Sequence, residues 1–152
     1  MHTLAPNSVA TALATDVRAL VLDTNIVLDL FVFKDPATPA LLQSLQGGSL
    51  RWLASLPMRD ELERVLAYPH IVARLNFYRL CAGDVLARFD AMAHRVAVAP
   101  KVSLNCKDAD DQKFVDLAAA HQAVLLSKDH AVLALAKRLR PFGVQTLTVY
   151  SD

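Results

Sequence analysis

The fold is decided by the stretch Arg18-Ala19-Leu20-Val21-Leu22-Asp23-Thr24-Asn25, in which a short apolar run ends at a polar triplet. Such a run predicts a buried strand over residues 18–22. The polar residues after it predict the beginning of a helix, with Asp23 at the junction. A strand that leads directly into a helix is typical of a parallel α/β fold.

The rest of the chain continues this alternation. The predicted strands are 18–22, 51–54, 95–99, 123–126 and 144–149. The predicted helices are 25–33, the segment from Thr38-Pro39 to Gly47-Gly48, 55–68, 70–94 divided at Gly83-Asp84, 108–122 and 129–140. The pattern predicts a three-layer α/β/α sandwich, in which a parallel sheet of about five strands is covered on both faces. The aromatic residues Trp52, Phe77, Tyr78 and Phe89 could stack nucleic-acid bases, but their apolar surroundings in the sequence favour the core.

Length and composition indicate one folded domain. The chain has 152 residues, of which 54% are hydrophobic, and this content excludes a disordered protein. Residues 1–16 lack a clear period and are expected to form a flexible arm, and residues 17–152 a single domain. No apolar run approaches the roughly 20 residues that span a membrane, and the N-terminus lacks the pattern of a signal peptide. The two cysteines are expected to be reduced thiols of a cytoplasmic protein.

The acidic residues are unusual, because 13 are Asp and only 2 are Glu. Short acids favour helix caps, turns and metal coordination. The formal net charge of +1 excludes a protein that coats nucleic acid by charge alone. It is compatible with a local basic surface beside a local acidic pocket.

Four acids are expected at the same edge of the sheet. Asp23 follows the first strand, Asp129 follows the fourth, and Glu61 and Asp111 lie in the first turns of helices. Ligands of open parallel sheets bind at the carboxyl ends of the strands. Because clustered carboxylates repel one another, the arrangement needs protons or a counter-cation. Hard divalent cations such as Mg²⁺ or Mn²⁺ prefer oxygen ligands, and two of them about 4 Å apart can promote phosphodiester hydrolysis.

Each acid also has an ordinary structural interpretation. Asp23 and Asp129 could be helix N-caps, and Glu61, Asp108 and Asp111 could be first-turn acids that complement a helix dipole. The coincidence of four acids at one edge of the sheet favours a metal-binding or catalytic role over these structural roles.

Four segments resemble one protein family, in order and over roughly residues 18–149. Val21-Leu22-Asp23-Thr24-Asn25-Ile26 resembles the opening motif of PIN domains, nucleases that include many bacterial toxins. The segments from Glu61 to Leu66, from Lys107 to Phe114 and from Leu126 to Asp129 resemble the motifs of the PIN toxin components of toxin–antitoxin systems. The fourth segment departs from its motif, because Ser127 and Lys128 stand where Thr and Gly are common.

The resemblance implies a metal-dependent ribonuclease that uses one or two Mg²⁺ or Mn²⁺ ions. Carried over residue by residue, the catalytic and metal-binding acids are Asp23, Glu61, Asp111 and Asp129, with Asp108 as a further metal ligand. Groups expected to orient these carboxylates or water are Thr24, Asn25 and Ser127. The motif favours Glu61 over Glu63, which cannot face the same way on a helix.

RNA, an antitoxin and a second copy of the chain are the expected partners. The cations flanking the motifs are candidates for binding RNA, namely Lys128, Arg59 and Arg64. Lys128 could instead pair with Asp129. The resemblance implies a homodimer and a cognate antitoxin, and the helical region 70–94 is a candidate partner surface.

Two other classes of function remain open. One is a non-catalytic nucleic-acid-binding or interaction module that retains the acidic pocket. The other is phosphotransfer or phosphatase chemistry with Asp23 as the nucleophile. The phosphotransfer class is disfavoured, because the usual opening motif of such enzymes has a second Asp at the position of Asn25.

Overall fold

Five parallel strands form the centre of the molecule. The structure, a computed structural model, describes residues 17–151. The strands are β1 (Arg18–Leu22), β2 (Leu50–Ala54), β3 (His94–Arg95), β4 (Val124–Leu126) and β5 (Gln145–Leu147). Their order is β3-β2-β1-β4-β5, and every neighbouring pair is parallel. The predicted α/β class with a five-stranded parallel sheet is therefore confirmed.

Helices connect the strands. They are α1 (Thr24–Leu28, continued by a π-helical turn, Asp29–Phe33), α2 (Pro39–Gly47), α3 (Leu56–Leu66), α4 (Pro69–Phe77), α5 (Ala82–Met92), α6 (Gln112–His121), α7 (His130–Leu133) and α8 (Ala136–Leu139). Two 3₁₀ turns, Ala109–Asp111 and Arg140–Phe142, precede α6 and follow α8. In residues 17–151, none of these helices has the length and apolar character needed to cross a membrane.

The central strands are buried because both faces of the sheet are covered. Leu20 and Val21 of β1 and Val124 and Leu125 of β4 are all fully buried. Such continuous apolar strands are typical of parallel sheets with two covered faces. Trp52 of β2 packs at the centre of an aromatic group, with its ring centroid 5.0 Å from that of Phe89.

Four features of the fold differ from the sequence-based prediction. The third strand is His94–Arg95 rather than 95–99, and the predicted helix 129–140 is divided into α7 and α8. The helical region 70–94 breaks before Ala82, not at Gly83-Asp84, because Asp84 accepts the backbone N–H of Cys81 and so begins α5. Phe77 is 77% exposed instead of buried.

The predicted N-terminal arm, residues 1–16, lies outside the described residues.

Candidate metal centre

The site lies where β1 and β4 end side by side. Leu22 pairs with Leu126 in the parallel register. The backbone N–H of Asp23 continues this pairing by donating to the carbonyl oxygen of Leu126 at 3.0 Å. The residues that follow β1 and β4 are therefore neighbours, as the carboxyl ends of adjacent parallel strands must be.

Three aspartates converge at this edge. One carboxylate oxygen from each of Asp23, Asp111 and Asp129 lies within 4.8 Å of the other two. Asp23 and Asp111 are buried, with 3% and 7% of their surface exposed, and Asp129 is half-buried. This separation brings the three carboxylates within reach of a single cation.

The hydroxyl of Ser127 connects two of these acids. Its Oγ donates to Oδ2 of Asp23 at 2.6 Å and accepts the backbone N–H of Asp129 at 3.0 Å. Asp129 also caps α7, because its Oδ1 accepts the backbone N–H of Ala131 at 2.8 Å. Asp129 therefore combines the predicted N-cap with membership of the cluster.

Asp111 reaches the cluster from the 3₁₀ turn before α6. Asp108 shapes that turn, because its Oδ1 accepts the backbone N–H of Asp110 at 3.0 Å and its carbonyl oxygen accepts that of Asp111 at 3.1 Å. Within residues 17–151, Oδ2 of Asp111 is buried and has no hydrogen-bond partner. A buried carboxylate oxygen without a donor is costly, so the position calls for a proton or a cation.

The electrostatics of the cluster are those of uncompensated carboxylates. Burial, followed by the charge of Asp23 and a hydrogen bond with Asp129, raises the pKa of Asp111 to about 8. Burial also raises the pKa of Asp23, against the opposing hydrogen bond from Ser127. The folded protein therefore retains protons here that isolated carboxyl groups would release.

The donor set fits a hard divalent cation. It consists of carboxylate oxygens, the ligands that Mg²⁺ and Mn²⁺ prefer, and it includes one oxygen that accepts no hydrogen bond from residues 17–151. Asp23, Asp111 and Asp129 are the residues that would hold the ion. Such an ion would replace the protons and lower the raised pKa values.

Glu61 lies beside the three aspartates but engages other groups. Its Oε2 accepts the hydroxyl of Thr24, and its Oε1 forms an ion pair with Nζ of Lys113 at 2.6 Å. Glu61 is half-buried, whereas Glu63 is exposed. The structure thus directs Glu61 and not Glu63 toward the site, the choice that the motif favoured.

The candidate RNA-binding cations have acidic neighbours of their own. Lys128 pairs with Asp29 rather than with Asp129. Arg59 forms two hydrogen bonds with Asp90, at 2.8 and 2.9 Å. Arg64 is exposed. Asn25, which was expected to orient a carboxylate or water, is exposed as well.

Sequence reasoning missed Lys113. It stands two residues after Asp111 within the quoted motif, yet its partner Glu61 lies 52 positions away. Only the packing of α3 against α6 brings the two together, so local spacing carried no signal. Nothing in the sequence indicated that Asp29 is buried and pairs with Lys128.

Comparisons with known proteins identify the family of the chain and a similar fold. The sequence model of the PIN domain family matches residues 19–131, and the chain belongs to that family. No curated protein matches the sequence. Among solved structures, the chain is similar to one in the crystal structure of VapBC2 from Rickettsia felis bound to a DNA fragment from their promoter. The identity is 14% and the TM-score 0.55, over 84% of this chain and 98% of the other, a likeness of fold.

Proposed function

We propose that the protein is a metal-dependent ribonuclease that hydrolyses RNA phosphodiester bonds and acts as the toxin of a bacterial toxin–antitoxin pair. The observation that carries the proposal is the convergence of Asp23, Asp111 and Asp129, with one buried oxygen of Asp111 that has no hydrogen-bond partner in the described part of the chain. Membership of the PIN domain family supports nuclease chemistry at that position.

The residues of the proposed active site divide into three roles. Asp23, Asp111 and Asp129 hold Mg²⁺ or Mn²⁺, and Glu61 is the fourth acid of the catalytic group. When bound, Mg²⁺ or Mn²⁺ would supply the activation of a water molecule and the stabilisation of the leaving oxygen in phosphodiester hydrolysis. Ser127 orients Asp23, and Thr24 orients Glu61, through the hydrogen bonds described above.

Asp108 is proposed to act mainly on Asp111. It shapes the turn that presents Asp111, and its charge contributes to the raised pKa of that residue. Its predicted role as a further ligand remains a prediction, as does a role for Asn25.

Substrate binding is assigned to cations around the acidic pocket. Arg59, Arg64 and Lys128 are proposed to contact RNA phosphates, which the carboxylates alone would repel. RNA is preferred to DNA on the family resemblance.

A cognate antitoxin and a second copy of the chain are proposed partners. The similar solved fold is that of a VapBC2 structure. The helical region 70–94, predicted as a partner surface, exposes Val72 and Phe77, which supports protein contact there. The proposal places the protein in the cytoplasm, where Cys81 and Cys106 would remain the free thiols that they are in the structure.

The test is cleavage of generic single-stranded RNA by freshly purified protein with Mn²⁺, with Mg²⁺ and with EDTA. We expect cleavage with either ion and none with EDTA. Protein that binds Mn²⁺ and RNA but cuts nothing would instead be a non-catalytic binding module.

A further inference from the structure

Lys113 places a positive charge beside the acidic cluster. Its Nζ lies 2.6 Å from Oε1 of Glu61 and also donates to the carbonyl oxygen of Asp110. The same Nζ lies 5.0 Å from the ring centroid of Phe114. The side chains of Lys113 and Glu61 are only 20% and 14% exposed, so this ion pair is largely shielded from solvent. A shielded ion pair with a further hydrogen bond is held in one geometry more firmly than a surface pair.

Glu61 is fully engaged as a result. Thr24 donates to one of its oxygens and Lys113 to the other. Thr24 follows Asp23 directly in the chain, so Glu61 is fixed next to the aspartate cluster without belonging to it. The negative charge of Glu61 is matched by an ammonium group, whereas Oδ2 of Asp111 has no partner among the described residues.

The three aspartates form one half of the site and the Glu61–Lys113 pair the other, and the two halves therefore differ in their charge balance. The aspartate half needs a cation, and the Glu61 half already contains one in the ammonium group of Lys113. A second divalent ion on Glu61 would have to displace Lys113 or lie close to it, against charge repulsion.

We propose that Lys113 is a positioning residue that takes the place of a second metal ion, so that the site binds a single divalent cation on Asp23, Asp111 and Asp129. This inference rests on the proposed metal centre and narrows it from one or two ions to one. It explains why Glu61 faces the site and yet is bound to a lysine.

The removal of the ammonium group has a distinctive consequence. Lys113→Met leaves Glu61 without its cation and makes the pocket more negative by one charge. The first Mn²⁺ should then bind about tenfold more tightly, and a second Mn²⁺ should bind at Glu61. A lysine that only supported the fold would, on replacement, weaken metal binding or leave it unchanged.

The experiment is a titration of the purified full chain with Mn²⁺, with bound ions counted by calorimetry and free Mn²⁺ by electron paramagnetic resonance. The variants are Lys113→Met, Lys113→Arg and Glu61→Gln, with Lys101→Met as the control because Lys101 is exposed and donates to the neighbouring carbonyl oxygen of Val102. We expect one ion for the parent chain, the Lys101 control, Lys113→Arg and Glu61→Gln, and two for Lys113→Met.

Each other outcome has a definite meaning. Two ions on the parent chain would overturn the inference, whether or not Lys113→Met folds, and would leave the proposed ribonuclease intact. The same would follow if Glu61→Gln lost the first ion, or if Lys113→Met bound Mn²⁺ as the parent does. A parent chain that binds no Mn²⁺ would overturn the metal centre itself, and the inference with it.

Discussion

Ser127 donates a hydrogen bond of 2.6 Å to Asp23, although the two residues lie 104 positions apart in the chain. The same hydroxyl accepts the backbone N–H of Asp129. Ser127 is fully buried at the end of β4, so a single side chain fixes the relative position of two carboxylates. The adjacency of β1 and β4 in the sheet makes this contact possible.

Replacement of Ser127 by Ala should therefore loosen the metal centre. We expect Mn²⁺ affinity to fall by about 10- to 100-fold, the usual effect of removing a group that orients a ligand. The free energy of unfolding should fall by about 1 to 3 kcal/mol, because a buried oxygen of Asp23 loses its donor. Calorimetric titration and urea unfolding measure the two effects. Ser103→Ala, at an exposed position, is the control. Unchanged Mn²⁺ affinity in Ser127→Ala would exclude this role.

Asp23→Asn should abolish metal-dependent RNA cleavage and leave the fold intact. Since an orienting group alone is worth about 10- to 100-fold, the loss of a ligand should exceed about 100-fold. Initial cleavage rates with Mn²⁺ and circular dichroism provide the measurements. Asp60→Asn is a matched control, because Asp60 is an exposed acid next to Glu61 on α3. If Asp23→Asn cut RNA as fast as the parent chain, Asp23 would not be a catalytic ligand.

The edge of the sheet and its acids could be predicted because both follow from local pattern. The apolar runs ending at Leu22 and Leu126 define parallel strands, and a parallel sheet gathers the residues after them. The placement of Asp23 and Asp129 thus needed no knowledge of packing. Asp111 followed from its position in the first turn of a helix.

The contacts of the cations could not be predicted in this way. Lys113 and Glu61 belong to different helices, and Lys128 had two acids within plausible reach. Its choice of Asp29 depends on the burial of the π-helical turn that continues α1, which the hydrophobic pattern did not reveal. The third strand was predicted over 95–99 but ends at Arg95, because the strand it pairs with, β2, ends at Ala54.

Without metal, the protein should lose stability as the pH rises. The pKa of Asp111 is about 8 in the folded protein against 3.8 as an ordinary group, so the folded state retains a proton that the unfolded chain releases. This stabilising contribution is present in full below pH of about 4 and is lost as the pH approaches 8. The raised pKa of Asp23 acts in the same direction.

Asp111→Asn should remove the part of this dependence that comes from Asp111. In EDTA at pH 8 we expect its Tm to lie several degrees above that of the parent chain, because a buried carboxylate without a partner is gone. With Mn²⁺ the order should reverse, since only the parent gains from binding the ion. Thermal unfolding from pH 5 to pH 8.5, with and without Mn²⁺, tests both statements. A parent chain as stable as the variant in EDTA at pH 8 would contradict them.

Arg59 should contribute to RNA binding, although Asp90 competes with the RNA phosphates for its guanidinium group. Both line a cavity of about 370 Å³ at the ends of β2 and β3, together with Arg95, on the same edge of the sheet as the acids. In the Asp23→Asn background, Arg59→Ala should weaken RNA binding and reduce the slope of log affinity against log salt by about 1. Asp90→Asn should strengthen binding, because it releases the guanidinium and removes a negative charge. Arg51→Ala, near the beginning of β2, serves as the control. Equal affinities for Arg59→Ala and the control would show that this cavity is not part of the RNA path.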